Sequence, residues 1–170
     1  MKSRVLCLTL AIAAAGWAPA AQADTTVVIV RHAEKVKPFD GEDPPLTPAG
    51  EARAQALAHG LSSVPLDRIY STTYLRNRAT AAPTALAQKK EVVVVDPKDT
   101  AGLAKILKGL KDQTVLVVGH SNTVPELLGL LGIKDPPALD DADYDNLFVV
   151  SLAKDRPARL LRLHFGAKAP

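Results

Sequence analysis

The stretch Thr25 to Glu34, TTVVIVRHAE, constrains this chain more than any other. Val27, Val28, Ile29 and Val30 form an unbroken run of β-branched apolar residues. A run so short, with no polar residue inside it, suits a strand buried on both faces. It ends in Arg31-His32-Ala33-Glu34, where ionisable groups crowd together. Open α/β sheets bind ligands beyond the carboxyl ends of their strands, so Arg31 and His32 are expected at the mouth of a site. The pair alone also fits a solvated strand end. Partners elsewhere in the chain decide between the two.

The remaining pattern alternates strands with helices. Leu66 to Ser71 and Glu91 to Asp96 (EVVVVD, fully apolar inside) read as strands, as does Thr114 to Gly119 (TVLVVG), which runs straight into His120. Thr47 is an N-cap with Pro48 at the first helical position. That helix is expected to stop at Gly60 in a left-handed cap. Tyr74 to Ala87 reads as a helix that Pro83 should kink. Thr100 to Leu110 and Asn122 to Leu131 read as two more, the latter closed by Gly132. Leu147 to Leu152 and Ala158 to Phe165, joined through Asp155-Arg156-Pro157, read as an antiparallel hairpin. Segments 35–46 and 135–145 are acidic, proline-containing loops. This order predicts one α/β domain, a three-layer sandwich. Its sheet is mainly parallel, with helices on both faces and an antiparallel edge.

The first 23 residues are expected to lie outside that domain. Lys2 and Arg4 precede an apolar run, Val5 to Ala15, and Ala21-Gln22-Ala23 offers small residues for cleavage before Asp24. This is the pattern of a secretory leader, 1–23, and the run is too short to span a bilayer. The expectation is a single domain over 24–170, exported to the periplasm or secreted, without a membrane span. Cleavage removes Cys7, the only cysteine, which excludes cysteine nucleophiles, disulfides and cysteine-based zinc sites. The formal charge falls from +3 to +1 when Lys2 and Arg4 leave. Nothing in that balance favours a nucleic-acid surface.

Two strands therefore end in histidine. If they are parallel, His32 and His120 leave the same edge of the sheet. Arg76, in the first turn of the helix after the second strand, sits where backbone N–H groups are unpaired and the dipole is positive. A guanidinium there makes an anion site. Thr80 follows four residues later on the same helix face. Arg78, His59 and His164 read as structural or solvated residues, and Tyr144 as a residue that could border the site.

Assembled, these motifs resemble the histidine phosphatase superfamily, the phosphoglycerate-mutase-like fold. Arg31-His32-Ala33-Glu34-Lys35 looks like its opening motif, and Leu46-Thr47-Pro48-Ala49-Gly50 like its next. Arg76 with Thr80-Ala81 resembles its arginine–threonine helix, and Gly119-His120-Ser121-Asn122 its second histidine motif. The small size is most similar to the phosphohistidine phosphatase branch. The resemblance implies hydrolysis of a phosphomonoester or phosphoramidate with no metal or cofactor. His32 would be the nucleophile, with Arg31, Arg76, His120 and Asn122 around the phosphoryl oxygens. The partner would be a small phosphorylated substrate.

The chain departs from the family at three points. Pro38 stands where several members have asparagine, with Lys35 as a stand-in phosphate contact. Ser121 stands where the acid phosphatase branch has aspartate. The general acid has no assignment, with Glu91, Asp96 and Asp99 as the nearest acids after the arginine helix. Other readings are a phosphate-binding protein without turnover, or a metal site of His32, Glu34 and His120. A Ser121 esterase is a further one, with an acid from 135–145 and His164, since Gly119 to Thr123 nearly spells G-x-S-x-G.

Overall fold

In the computed structural model of the chain, residues 24–168 are described, and the expected leader, 1–23, lies outside them. Six strands form one sheet: β1 (Thr25–Arg31), β2 (Arg68–Thr72), β3 (Val92–Val95), β4 (Thr114–Gly119), β5 (Asn146–Leu152) and β6 (Arg159–His164). Their spatial order is β3-β2-β4-β1-β5-β6. The first four run parallel; β5 is antiparallel to β1, and β6 to β5. The expected three-layer arrangement with a closing antiparallel hairpin is what the structure shows.

Alternation along β1 splits the core into two layers, because successive side chains leave opposite faces of a strand. Val28 and Val30 pack with Leu57 of α1 (Pro48–Gly60) and with Ala81 and Ala85 of α2 (Leu75–Gln88). Val27 and Ile29 pack on the other face with Leu103 and Leu107 of α3 (Thr100–Gly109). Leu127 and Leu128 of α4 (Thr123–Leu130) join that layer. No helix among the described residues is long and apolar enough to cross a membrane.

Local signals act mostly as expected. The Thr47 hydroxyl accepts from Gly50 N at 3.1 Å, capping α1 behind Pro48. Gly132 adopts a positive φ of 102° just after α4. Two expectations are corrected. Gly60 is the last residue of α1 rather than a left-handed cap; Leu61 ends the helix at φ −97°, so no positive φ is required there. The all-valine strand β3 is not buried on both faces. It lies at the sheet edge, leaving Val93 and Val94 43% and 50% exposed. α2 continues through Pro83 to Gln88.

Candidate active site

The register of β1 against β4 creates the site. Val27 pairs with Val115, and the ladder runs without a slip to Arg31 opposite Gly119. The next residue on each strand is a histidine, and His32 N donates to Gly119 O at 2.9 Å. Two imidazoles therefore leave adjacent strands at the same level. Their ring centroids lie 5.5 Å apart, edge to face, and both side chains are buried. Gly119 gives the backbone room, since a Cβ there would press 2.9 Å from Val124 Cγ2.

His32 is held by its own turn. Its Nδ1 lies 2.8 Å from the Ala33 carbonyl oxygen. A carbonyl only accepts, so Nδ1 carries the proton and Nε2 keeps its lone pair. Ala33 N donates to Thr80 Oγ1 at 2.9 Å, and the same hydroxyl donates to Arg76 O at 2.8 Å. One threonine side chain thus couples the His32 turn to the arginine helix. α1 closes the turn from behind: Thr47 N donates to Glu34 O at 2.9 Å, and a Cβ on Gly50 would collide with that carbonyl. This explains a glycine in Leu46-Thr47-Pro48-Ala49-Gly50.

α2 carries Arg76 at its second position. Asn77, fully buried, donates its amide to Val118 O and Gly119 O at 3.1 and 2.9 Å, fixing α2 against the end of β4. Two tyrosines back the two arginines. The Arg31 guanidinium lies 4.2 Å from the Tyr144 ring centre, and that of Arg76 lies 4.3 Å from the Tyr74 ring centre. Tyr74 also meets His120 edge-on at 5.3 Å. Thr72 Oγ1 shares a 3.0 Å hydrogen bond with His120 Nε2.

Burial dominates the electrostatics. It pushes His32 down to about 3, opposed by the Ala33 carbonyl and aided by Arg31, His120 and Arg76. It pushes His120 down to about 4, with Arg76, Arg31 and Lys35 adding and Asp43 opposing. Both rings are therefore neutral near pH 7. In the free protein the positive charge of the cluster therefore comes from the arginines. Nε of Arg31 and Nε of Arg76 are buried without a hydrogen-bond partner. Two orphaned guanidinium donors beside two imidazoles fit a tetrahedral anion, whose oxygens would satisfy them.

Acidic loops rim the opening. Arg31 Nη1 donates to Asp140 O at 2.8 Å, and its Nη2 lies 3.7 Å from the Asp141 carboxylate. Lys37 reaches the same carboxylate at 3.6 Å, linking segments 35–46 and 135–145. Asp43 accepts from Leu75 N at 2.7 Å and lies 3.3 Å from Arg76 Nη1.

Arg31, His32, Arg76 and His120 thus come together. Asn122 does not join them through any capping bond: it is exposed at the start of α4. The proposed acids after the arginine helix are engaged elsewhere. Asp99 Oδ1 caps α3 through Gly102 N at 2.8 Å, Asp96 Oδ1 accepts from Lys98 N at 2.8 Å, and Glu91 is exposed. Glu34 is no metal ligand, because Arg53 Nε holds its two oxygens at 3.0 and 2.9 Å. Among the described residues no three His, Cys, Asp or Glu side chains gather as metal ligands. The serine-esterase triad also fails. His164 is exposed on β6 against Asp145 at 3.3 Å, three strands from β4 and so about 14 Å away.

Sequence reasoning missed Thr72, Asn77 and Asp43, and left Tyr144 undecided. None of them carried a signal of its own; Asp43 shares its loop with Asp40 and Glu42.

Comparison with known proteins fits this geometry. Residues 27–98 match the histidine phosphatase superfamily, branch 1, a span that includes Arg31, His32, Arg76 and Thr80. No curated protein matches the chain. Among solved structures, the protein histidine phosphatase SixA complexed with tungstate superposes with a TM-score of 0.71 at 20% identity, covering 82% of this chain and 96% of its own. A candidate phosphohistidine phosphatase SixA from Nakamurella multipartitia superposes at 0.63 with 25% identity, over 85% and 98%. Phosphoserine phosphatase in complex with 3-phosphoglyceric acid, from Entamoeba histolytica, gives 0.62 at 18% identity, over 85% and 98%. Over residues 27–98, which carry Arg31, His32 and Arg76, the chain is thus similar in sequence to the histidine phosphatase superfamily, and it shares the fold of phosphatases of that kind.

Proposed function

We propose that the protein hydrolyses a small phosphomonoester or phosphoramidate, without a metal, through a phosphohistidine formed on His32. The observation that carries this reading is the state of His32. It is buried and neutral, its Nδ1 proton is committed to the Ala33 carbonyl 2.8 Å away, and its Nε2 lone pair is free. A fixed neutral imidazole is a nucleophile ready at neutral pH. Nε2 attacks phosphorus, the bond to the leaving group breaks, and water then cleaves the N–P bond to release phosphate. Arg31, Arg76 and His120 hold the equatorial oxygens as their charge develops, which is most of what phosphoryl transfer asks of a protein. Tungstate in one structural relative and 3-phosphoglyceric acid in another are anions of the kind such a pocket would hold.

The test is phosphate release from 4-nitrophenyl phosphate with chelator present, wild type against His32→Ala. Turnover lost in the variant supports the mechanism; turnover that survives refutes it. Residues 1–23 are proposed as a leader removed before Asp24, with the protein working outside the cytoplasm. The intact mass of exported protein tests that, since a chain still starting at Met1 contradicts it.

A further inference from the structure

We infer that Asp43 protonates the leaving group. The inference rests on the phosphatase reading and supplies what that reading lacks, since Glu91, Asp96 and Asp99 face other duties. Asp43 is the carboxylate tied to both anion-holding features of α2. Its Oδ2 takes the backbone N–H of Leu75 at 2.7 Å, and its Oδ1 faces Arg76 Nη1 at 3.3 Å. The loop that carries it is pinned at its base. Lys35 bridges Leu46, and Val36 N donates to Pro45 O at 3.0 Å. The rest of the cluster closes the inner side, with His32, His120 and Thr72 all buried. A leaving group must therefore point outward, and Asp43, partly exposed, stands on that outer side.

The groups facing Asp43 suit the task. Arg76 pairs with it, and His120 feels its charge. When a phosphate takes Arg76, Oδ1 loses its cation and gains an anion beside it. The proton comes from the substrate monoanion, since the second ionisation of a phosphomonoester lies near pH 6. The cycle then balances. The N–P bond to His32 forms as the P–O bond breaks, and the Asp43 proton moves to the leaving oxygen. In the second step water attacks phosphorus, gives its proton to Asp43, and the N–P bond breaks.

A general acid matters most for a poor leaving group. The experiment compares wild type, Asp43→Asn and Asp99→Asn on 4-nitrophenyl phosphate and ethyl phosphate. Asparagine keeps the Leu75 contact but has no proton to donate. For Asp43→Asn, kcat/KM on the alkyl ester should fall about 100-fold or more, the usual size of such an effect, against less than about 5-fold on the aryl ester. Asp99→Asn, which touches only α3, should change neither. Equal losses on both esters, or gains on both, would overturn the assignment of Asp43 and leave the His32 mechanism standing. Wild type inactive on both esters, and indistinguishable from His32→Ala, would overturn both.

Discussion

Replacing Thr80 with valine keeps the side chain's size and branching and removes only the hydroxyl. That hydroxyl accepts from Ala33 N and donates to Arg76 O. The Arg76 carbonyl loses little, because a helix carbonyl keeps its backbone bond four residues on. Ala33 N is different. It belongs to a fully buried residue and would have no other acceptor. An orphaned buried N–H costs about 1–3 kcal/mol. For a domain of this size that lowers Tm by roughly 2–4 °C per kcal/mol, or about 2–12 °C. The same bond sets the turn that holds His32, and a 1 Å misplacement of a reacting group costs about 100-fold in rate. Urea unfolding and kcat/KM should therefore both fall in Thr80→Val and both recover in Thr80→Ser. A valine variant within about 0.5 kcal/mol of wild type, with full activity, would refute the coupling of the two motifs.

The two histidines make stability depend on pH with a definite sign. Their folded values, about 3 and about 4, lie below the unfolded value near 6.5, so only the unfolded chain takes up protons between those limits. Stability is complete above pH 6.5 and declines as pH falls toward 4. The urea midpoint should drop less between pH 7 and pH 5 in His120→Asn than in wild type, and an identical drop would contradict buried neutral imidazoles. Arg53 is buried, pairs with Glu34 and donates to the Phe165 and Ala167 carbonyls at 2.9 Å each. Arg53→Ala leaves the part-buried Glu34 carboxylate and two carbonyls without their donor and should cost about 1–3 kcal/mol by urea unfolding; a loss below about 0.5 kcal/mol would show that the pair is merely tolerated.

The parts of this molecule legible in sequence are those with local causes. VVIV and TVLVVG announce strands by composition, Thr47-Pro48 announces a helix start by capping chemistry, and both histidines follow directly on their strands. Hydropathy cannot separate a central strand from an edge one, so EVVVVD looked buried when two of its valines meet solvent. Thr72, Asn77 and Tyr144 matter through contacts 41 or more residues apart in sequence. Nothing in a residue's neighbours announces such a contact. Asp43 was hidden among acids that mark its loop only as exposed. Neutral His120 was hidden too, because its charge is decided by burial, which only the folded chain defines.

The position of β4 has a consequence for the order in which binding ability arises. Fourth in sequence, it lies between β1 and β2, which do not pair with each other. A chain ending before Thr114 lacks His120 and the ladder that joins β1 to β2, leaving the Thr80–Ala33 bond without a sheet to hold His32 beside Arg76. Ligand stabilisation acts only on states that bind. A phosphate held as proposed would therefore leave a growing or half-folded chain untouched and act on the domain only after its last parallel strand has slid into the gap.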